Sequence, residues 1–149
     1  MPTAPIVQLL LVLTLGIIAL ALWKGSPAER VGAGLILAID LLRIGSGYVL
    51  PAHLEPITRM GADFLTALSL LAVAVRYASL WLGGAMLLYA AQFSLHSFYF
   101  VTHKAPDRLH AIINNVDFLG ISLCLALGVL VAWRRRSRER PLAAAPSAA

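Results

Sequence analysis

Three stretches of this 149-residue chain place side chains capable of binding chemistry at helical spacing. Gln92, His96, Tyr99 and His103 fall at i, i+4, i+7 and i+11, while His110, Asn114 and Asp117 fall at i, i+4 and i+7. Asp40, Arg43 and Gly47 form a third stripe. Imidazole, carboxylate, amide and phenol groups sharing such faces suit a ligand-binding polar network, a metal site or a haem site. The network candidates are therefore Asp40, Arg43, Gln92, His96, Tyr99, His103, His110, Asn114 and Asp117. A b-type haem would use two histidines, His96 with His103 or His110. A divalent metal would use those same three, with His53 and Asp63 as further ligands, because imidazole and carboxylate suit zinc, iron or copper. Two facts weigh against these cofactors. No short motif defines such a haem site, and the seven-residue spacing of His96 and His103 is wider than the i, i+4 pair of a helical metal motif. The sequence by itself requires no cofactor.

The elements that carry these residues are apolar. Hydrophobic residues make up 60% of the chain and mean hydropathy is +0.82, far above globular usage. The expected fold is all-α, a polytopic membrane bundle of five transmembrane helices at about 5–23, 29–48, 57–75, 79–101 and 110–133. Domain 1–133 is that bundle, and 134–149, basic and then rich in Ala, Pro and Ser, is expected to be a disordered cytoplasmic tail. The run ending in Ala19, Leu20 and Ala21 resembles a signal peptide, but no basic residue precedes it and Lys24 and Arg30 follow, so it is read as a retained first helix.

Punctuation supports most of these boundaries. Gly25 ends the first helix, Ser26 caps the second, Pro27 takes its first position and Glu29 completes a capping box. Pro106 and Asp107 open the fifth. Between the third and fourth no Gly or Pro marks a break near Arg76, yet residues 61–101 as a single helix would extend ~60 Å, about twice the bilayer core. The charge pattern agrees with an odd number of spans. With the C-terminus inside and the N-terminus outside, Lys24, Arg30, Arg76 and the arginines at 134, 135, 136, 138 and 140 all lie inside, whereas Arg59, Lys104 and Arg108 lie outside. That distribution fits a bacterial inner membrane protein and excludes a nucleic-acid partner for the basic charge.

In this orientation the polar faces occupy the outer half of the bundle. Lipid offers them no hydrogen-bond partners, so they turn toward each other, with Arg43 pairing with Asp40 or Asp117. The inner half offers mainly Thr14, Thr66, Ser69 and Ser122, too few for a continuous ion path. Gly120, Cys124 and Gly128, with Gly83 and Gly84, form small-residue grooves for close helix approach, within the chain, in a homo-oligomer or with other membrane subunits. Cys124 has no partner for a disulfide. No Walker loop, GxGxxG, HExxH or nucleophile elbow occurs, which favours a non-enzymatic role.

The leading expectation is an accessory or assembly protein with a polar cavity on the outer side. The alternative is a redox, metal- or haem-binding membrane protein using histidines of helices four and five, and the third a small-molecule transporter. A buried Asp-Arg-Asn network can also serve only to hold helices in register.

Overall fold

The computed structural model describes residues 5–51 and 54–143, and among these there are five helices and no strand. They are α1 (Pro5–Lys24), α2 (Pro27–Val49), α3 (Glu55–Tyr77), α4 (Leu80–Val101) and α5 (Arg108–Ala143). Short connections make chain neighbours antiparallel, and α5 closes on α1, so the helices form a five-membered ring. One end of the bundle carries the tight turns at Gly25–Ser26 and Ala78–Ser79. The other carries the longer connections between α2 and α3 and between α4 and α5.

The α1–α2 turn is built from the capping box. The Ser26 N–H donates to Glu29 Oε2 at 2.8 Å, and the Ser26 hydroxyl donates to the same oxygen. Any side chain at Gly25 would run into the Ala21 carbonyl, which accepts the Gly25 N–H at 2.8 Å. Glu29 is buried because its other oxygen accepts the Trp81 indole N–H at 3.0 Å, which ties the start of α2 to the start of α4.

The break near Arg76 forms without Gly or Pro. Ala78 adopts the left-handed conformation at φ 48° and its N–H donates to Ala74 at 2.8 Å, closing α3, and Ser79 precedes α4. Three of the groove glycines are covered from within the chain, while Gly83 has open space around its Cβ position. Trp81 lies between Gly32 on α2 and Gly128 on α5, and a Cβ at either glycine would come within 2.5 Å of its ring. Leu88 covers Gly120, and Cys124 meets Gly84. Around Trp81 the core continues through the fully buried Leu70, Leu82, Leu125 and Val129.

The outward surface is apolar, with Leu9, Val12, Leu87 and Leu127 all more than half exposed. Helices α1, α2, α3 and α5 are long and apolar enough to cross a membrane. Helix α4 has a similar length but carries Gln92, His96 and two serines, and it lies along α3 and α5 with its polar face inward. The chain is thus an all-α, multi-pass membrane bundle.

One boundary departs from the sequence-based expectation. Helix α5 continues past Trp133 to Ala143, so the arginine-rich segment is helical where a disordered tail was expected. No Gly or Pro interrupts residues 134–140, and arginine is a good helix former. Within this extension the Arg136 guanidinium donates to the Lys24 carbonyl at the end of α1. The last part of the expected tail, 144–149, lies outside the described residues.

Candidate functional site

The polar faces of α2, α4 and α5 converge at the longer-loop end, joined there by α3. At their centre stands Asp63, 1% exposed. Its Oδ2 meets His96 Nδ1, and its Oδ1 faces Arg43 Nη1 at 3.6 Å. Arg43 thus pairs across helices with Asp63, where the sequence pointed to Asp40 or Asp117. A guanidinium and an imidazole share one carboxylate, an arrangement that offsets the desolvation of each group in a low-dielectric interior.

Eight of the nine network candidates divide between two cavities. Asp40, Arg43, Gln92 and Asn114 line one of about 680 Å³ between α1, α2 and α5. His96, Tyr99, His103 and His110 line another of about 360 Å³ at the loop end of α3, α4 and α5. Both volumes fall within the range of small-ligand sites. Arg59 borders both cavities, and the Arg43–Asp63–His96 series runs from one to the other. Asp117 lines neither. It is buried, and its Oδ2 has no hydrogen-bond partner. In the larger cavity Gln92 Nε2 donates to Asn114 Oδ1 at 3.1 Å.

The smaller cavity has a rigid rim. Asp107 Oδ1 accepts the Tyr99 hydroxyl at 2.6 Å and the His110 backbone N–H at 2.9 Å, so Asp107 caps α5 and holds the Tyr99 ring. Lys104 Nζ pairs with Asp107 Oδ2 at 2.7 Å. Hydrogen bonds from Lys104, then Tyr99 and the His110 N–H, hold the Asp107 carboxyl below the usual carboxylate range, and Asp107 raises Lys104. The end of α4 is a Schellman motif, in which Lys104 N–H donates to Tyr99 at 3.2 Å and His103 N–H to Phe100 at 3.3 Å. His103 occupies the left-handed position at φ 51°, where glycine is preferred, and it borders the cavity.

His96 and His110 lie side by side with ring centroids 5.4 Å apart, and the Tyr99 ring stands edge-on to His110 at 4.7 Å. His96 Nε2 is buried with no hydrogen-bond partner. Among the described residues no group of three or more His, Cys, Asp or Glu side chains is placed to hold a metal ion, so the candidate trio His96, His103 and His110 borders one cavity without converging as a ligand set. His53 lies outside the described residues.

Toward the tight-turn end a further cavity of about 640 Å³ is bordered by Glu29, Trp81, Gly128, Arg135 and Arg136. The Thr14 and Ser122 hydroxyls bond each other at 2.7 Å, and Thr66 donates to the Ala62 carbonyl of its own helix at 2.7 Å. The central role of Asp63 was not apparent from sequence, where it figured only as a metal-ligand candidate. Its signal was the stripe Asp63, Thr66 and Leu70 at i, i+3 and i+7, all three now buried.

No protein-family model matches this chain, and neither a curated protein nor a solved structure is detectably similar to it.

Proposed function

We propose that the chain is an accessory protein of a bacterial inner membrane, crossing it five times with the N-terminus outside, and that its outer cavities hold a small ligand or a lipid headgroup. The observation that carries this reading is the Asp63–His96 pair. Asp63 fixes the imidazole through Nδ1 and leaves Nε2 buried without a partner, on a ring that borders a cavity. A buried polar atom left unsatisfied costs roughly 1–3 kcal/mol, which an occupant of the cavity offsets. A purely structural pair has no need of an imidazole whose second nitrogen is left open.

The Thr14–Ser122 hydroxyl pair and the apolar residues around Trp81 favour binding over conduction, since they offer few polar groups between the outer cavities and the tight-turn end. Trp81 and Leu88 pack on Gly128 and Gly120, which weakens one argument for a partner helix. The redox or metal reading retains one observation in its favour, the adjacent rings of His96 and His110.

A native mass spectrum of the full chain, extracted gently from its own membrane, tests the proposal. The expected result is a discrete non-protein mass that is lost in His96→Ala. A haem or metal increment would instead support the redox reading. The bare chain mass, alone or beside a co-purified polypeptide, would contradict the ligand-binding reading.

A further inference from the structure

The two sides of His96 differ in charge. Behind the ring lie carboxylates: Asp63 on α3 holds Nδ1, and Asp117 on α5 is buried with an unpartnered oxygen. Farther back on α2 stands Asp40, whose neighbour Arg43 is directed to Asp63. Arg43 and His96 thus share the Asp63 carboxylate. With Nδ1 committed to Asp63, the remaining polar atom of the ring is Nε2, buried without a hydrogen-bond partner.

In front of the ring the lining is basic. The smaller cavity is bordered by Arg59, His103, Lys104 and His110 as well as His96, and by no acidic side chain. Its remaining walls, Tyr99, Phe100 and Pro106, offer apolar surface. Lys104 is oriented by Asp107, which stands outside the lining. His96 lies ~8 Å below the helix end at Val101 by the helical rise, the depth at which a bilayer passes from headgroups to hydrocarbon.

We propose that this cavity is an oxyanion site, taking the phosphate of an anionic lipid headgroup or a free phosphate-type anion, with His96 at its floor and His103 and Lys104 at its mouth. The inference rests on the ligand-binding reading above and names the chemistry of its ligand.

The test uses the full chain in a neutral detergent, with phosphatidylglycerol, phosphatidylcholine and inorganic phosphate as probes and bound ligand counted by native mass spectrometry. The expected result is preferential retention of phosphatidylglycerol over phosphatidylcholine. Each lost basic contact should weaken retention about fivefold, in His96→Gln and in the rim variants His103→Gln and Lys104→Gln. The rim variants keep the test decisive if His96→Gln fails to fold, because His103 and Lys104 are exposed. Displacement of phosphatidylglycerol by phosphate identifies a soluble anion as the ligand, and its persistence identifies a lipid; both support an oxyanion site. Equal retention of the two lipids, or full phosphatidylglycerol preference in the rim variants, overturns the oxyanion assignment while leaving a ligand-binding cavity in place. Failure of all three probes to bind overturns it together with the reading on which it rests.

Discussion

His96 and Asp63 meet across the α3–α4 interface, with Nδ1 of the ring against Oδ2 of the carboxylate, while the second carboxylate oxygen faces Arg43 on α2 at 3.6 Å. Three helices are thereby joined through a carboxylate that is 1% exposed. Removing one member of such a buried group leaves an uncompensated charge.

Asp63→Ala is accordingly expected to destabilise the bundle by about 3 kcal/mol or more. Asp63→Asn, which keeps the shape and one acceptor, should cost less. In a cycle of Asp63→Asn with His96→Gln the double change should fall short of the sum of the singles. Reversible unfolding in lipid–detergent micelles measures this, and strict additivity would show that the two residues act separately.

Trp81 fills the space left by two glycines. A methyl group at Gly32 or Gly128 would meet its ring at 2.5 Å, so Gly128→Ala should destabilise by roughly 1–3 kcal/mol through overpacking. Gly34, which has open space around its Cβ position, serves as the control. Equal effects of Gly34→Ala and Gly128→Ala in the same unfolding assay would contradict the wedge.

The left-handed residue at the α3–α4 junction offers a gain in stability. An L-residue held there costs roughly 1–2 kcal/mol, so Ala78→Gly should raise the unfolding free energy by up to about 1 kcal/mol and Ala78→Val should lower it. A loss in Ala78→Gly would mean that the junction is not left-handed in the membrane.

Acid should loosen the rim of the smaller cavity. Because the Asp107 carboxyl is depressed by Lys104 and Tyr99, its contribution to stability is complete above the ordinary aspartate value of about 4 and is lost as pH falls through the depressed one. Lys104 is raised by Asp107, so its share is present below about 10 and lost as pH rises further. Asp107→Asn keeps the cap on α5 but not the ion pair. Its unfolding midpoint should lie below that of the unsubstituted chain by a constant amount around neutrality, and the gap should close in acid. A gap that persists at the lowest pH would contradict the shift.

The features legible in the sequence are those set by local spacing. Apolar length located the helices, the Ser26–Glu29 spacing identified the capping box, and the i, i+4 rows on α4 and α5 picked out Gln92, His96, His110 and Asn114, which do line cavities. What it hid depends on contacts between helices. The choice of Arg43 between three carboxyl groups is set by how α2 packs on α3, which periodicity along α2 does not encode. Glu29 reads as a surface cap until Trp81, 52 residues later, reaches its free oxygen. The extension of α5 was hidden because composition suggested a tail, while the backbone had no reason to stop at Trp133.

The two nitrogens of the His96 imidazole differ, Nδ1 against Asp63 and Nε2 without a partner, and nitrogen NMR of the histidine-labelled chain reads them separately. The chain has 4 histidines, and the His96 signals are those absent from His96→Gln. Adding phosphatidylglycerol to the protein in neutral detergent should shift His96 Nε2 while leaving Nδ1, held by Asp63, nearly unchanged, and Asp63→Asn should move Nδ1. If Nε2 does not respond to phosphatidylglycerol or to lipid extract from the native membrane, or if Nδ1 is unaffected by Asp63→Asn, the Asp63–His96 pair does not present a binding atom and the central claim is wrong.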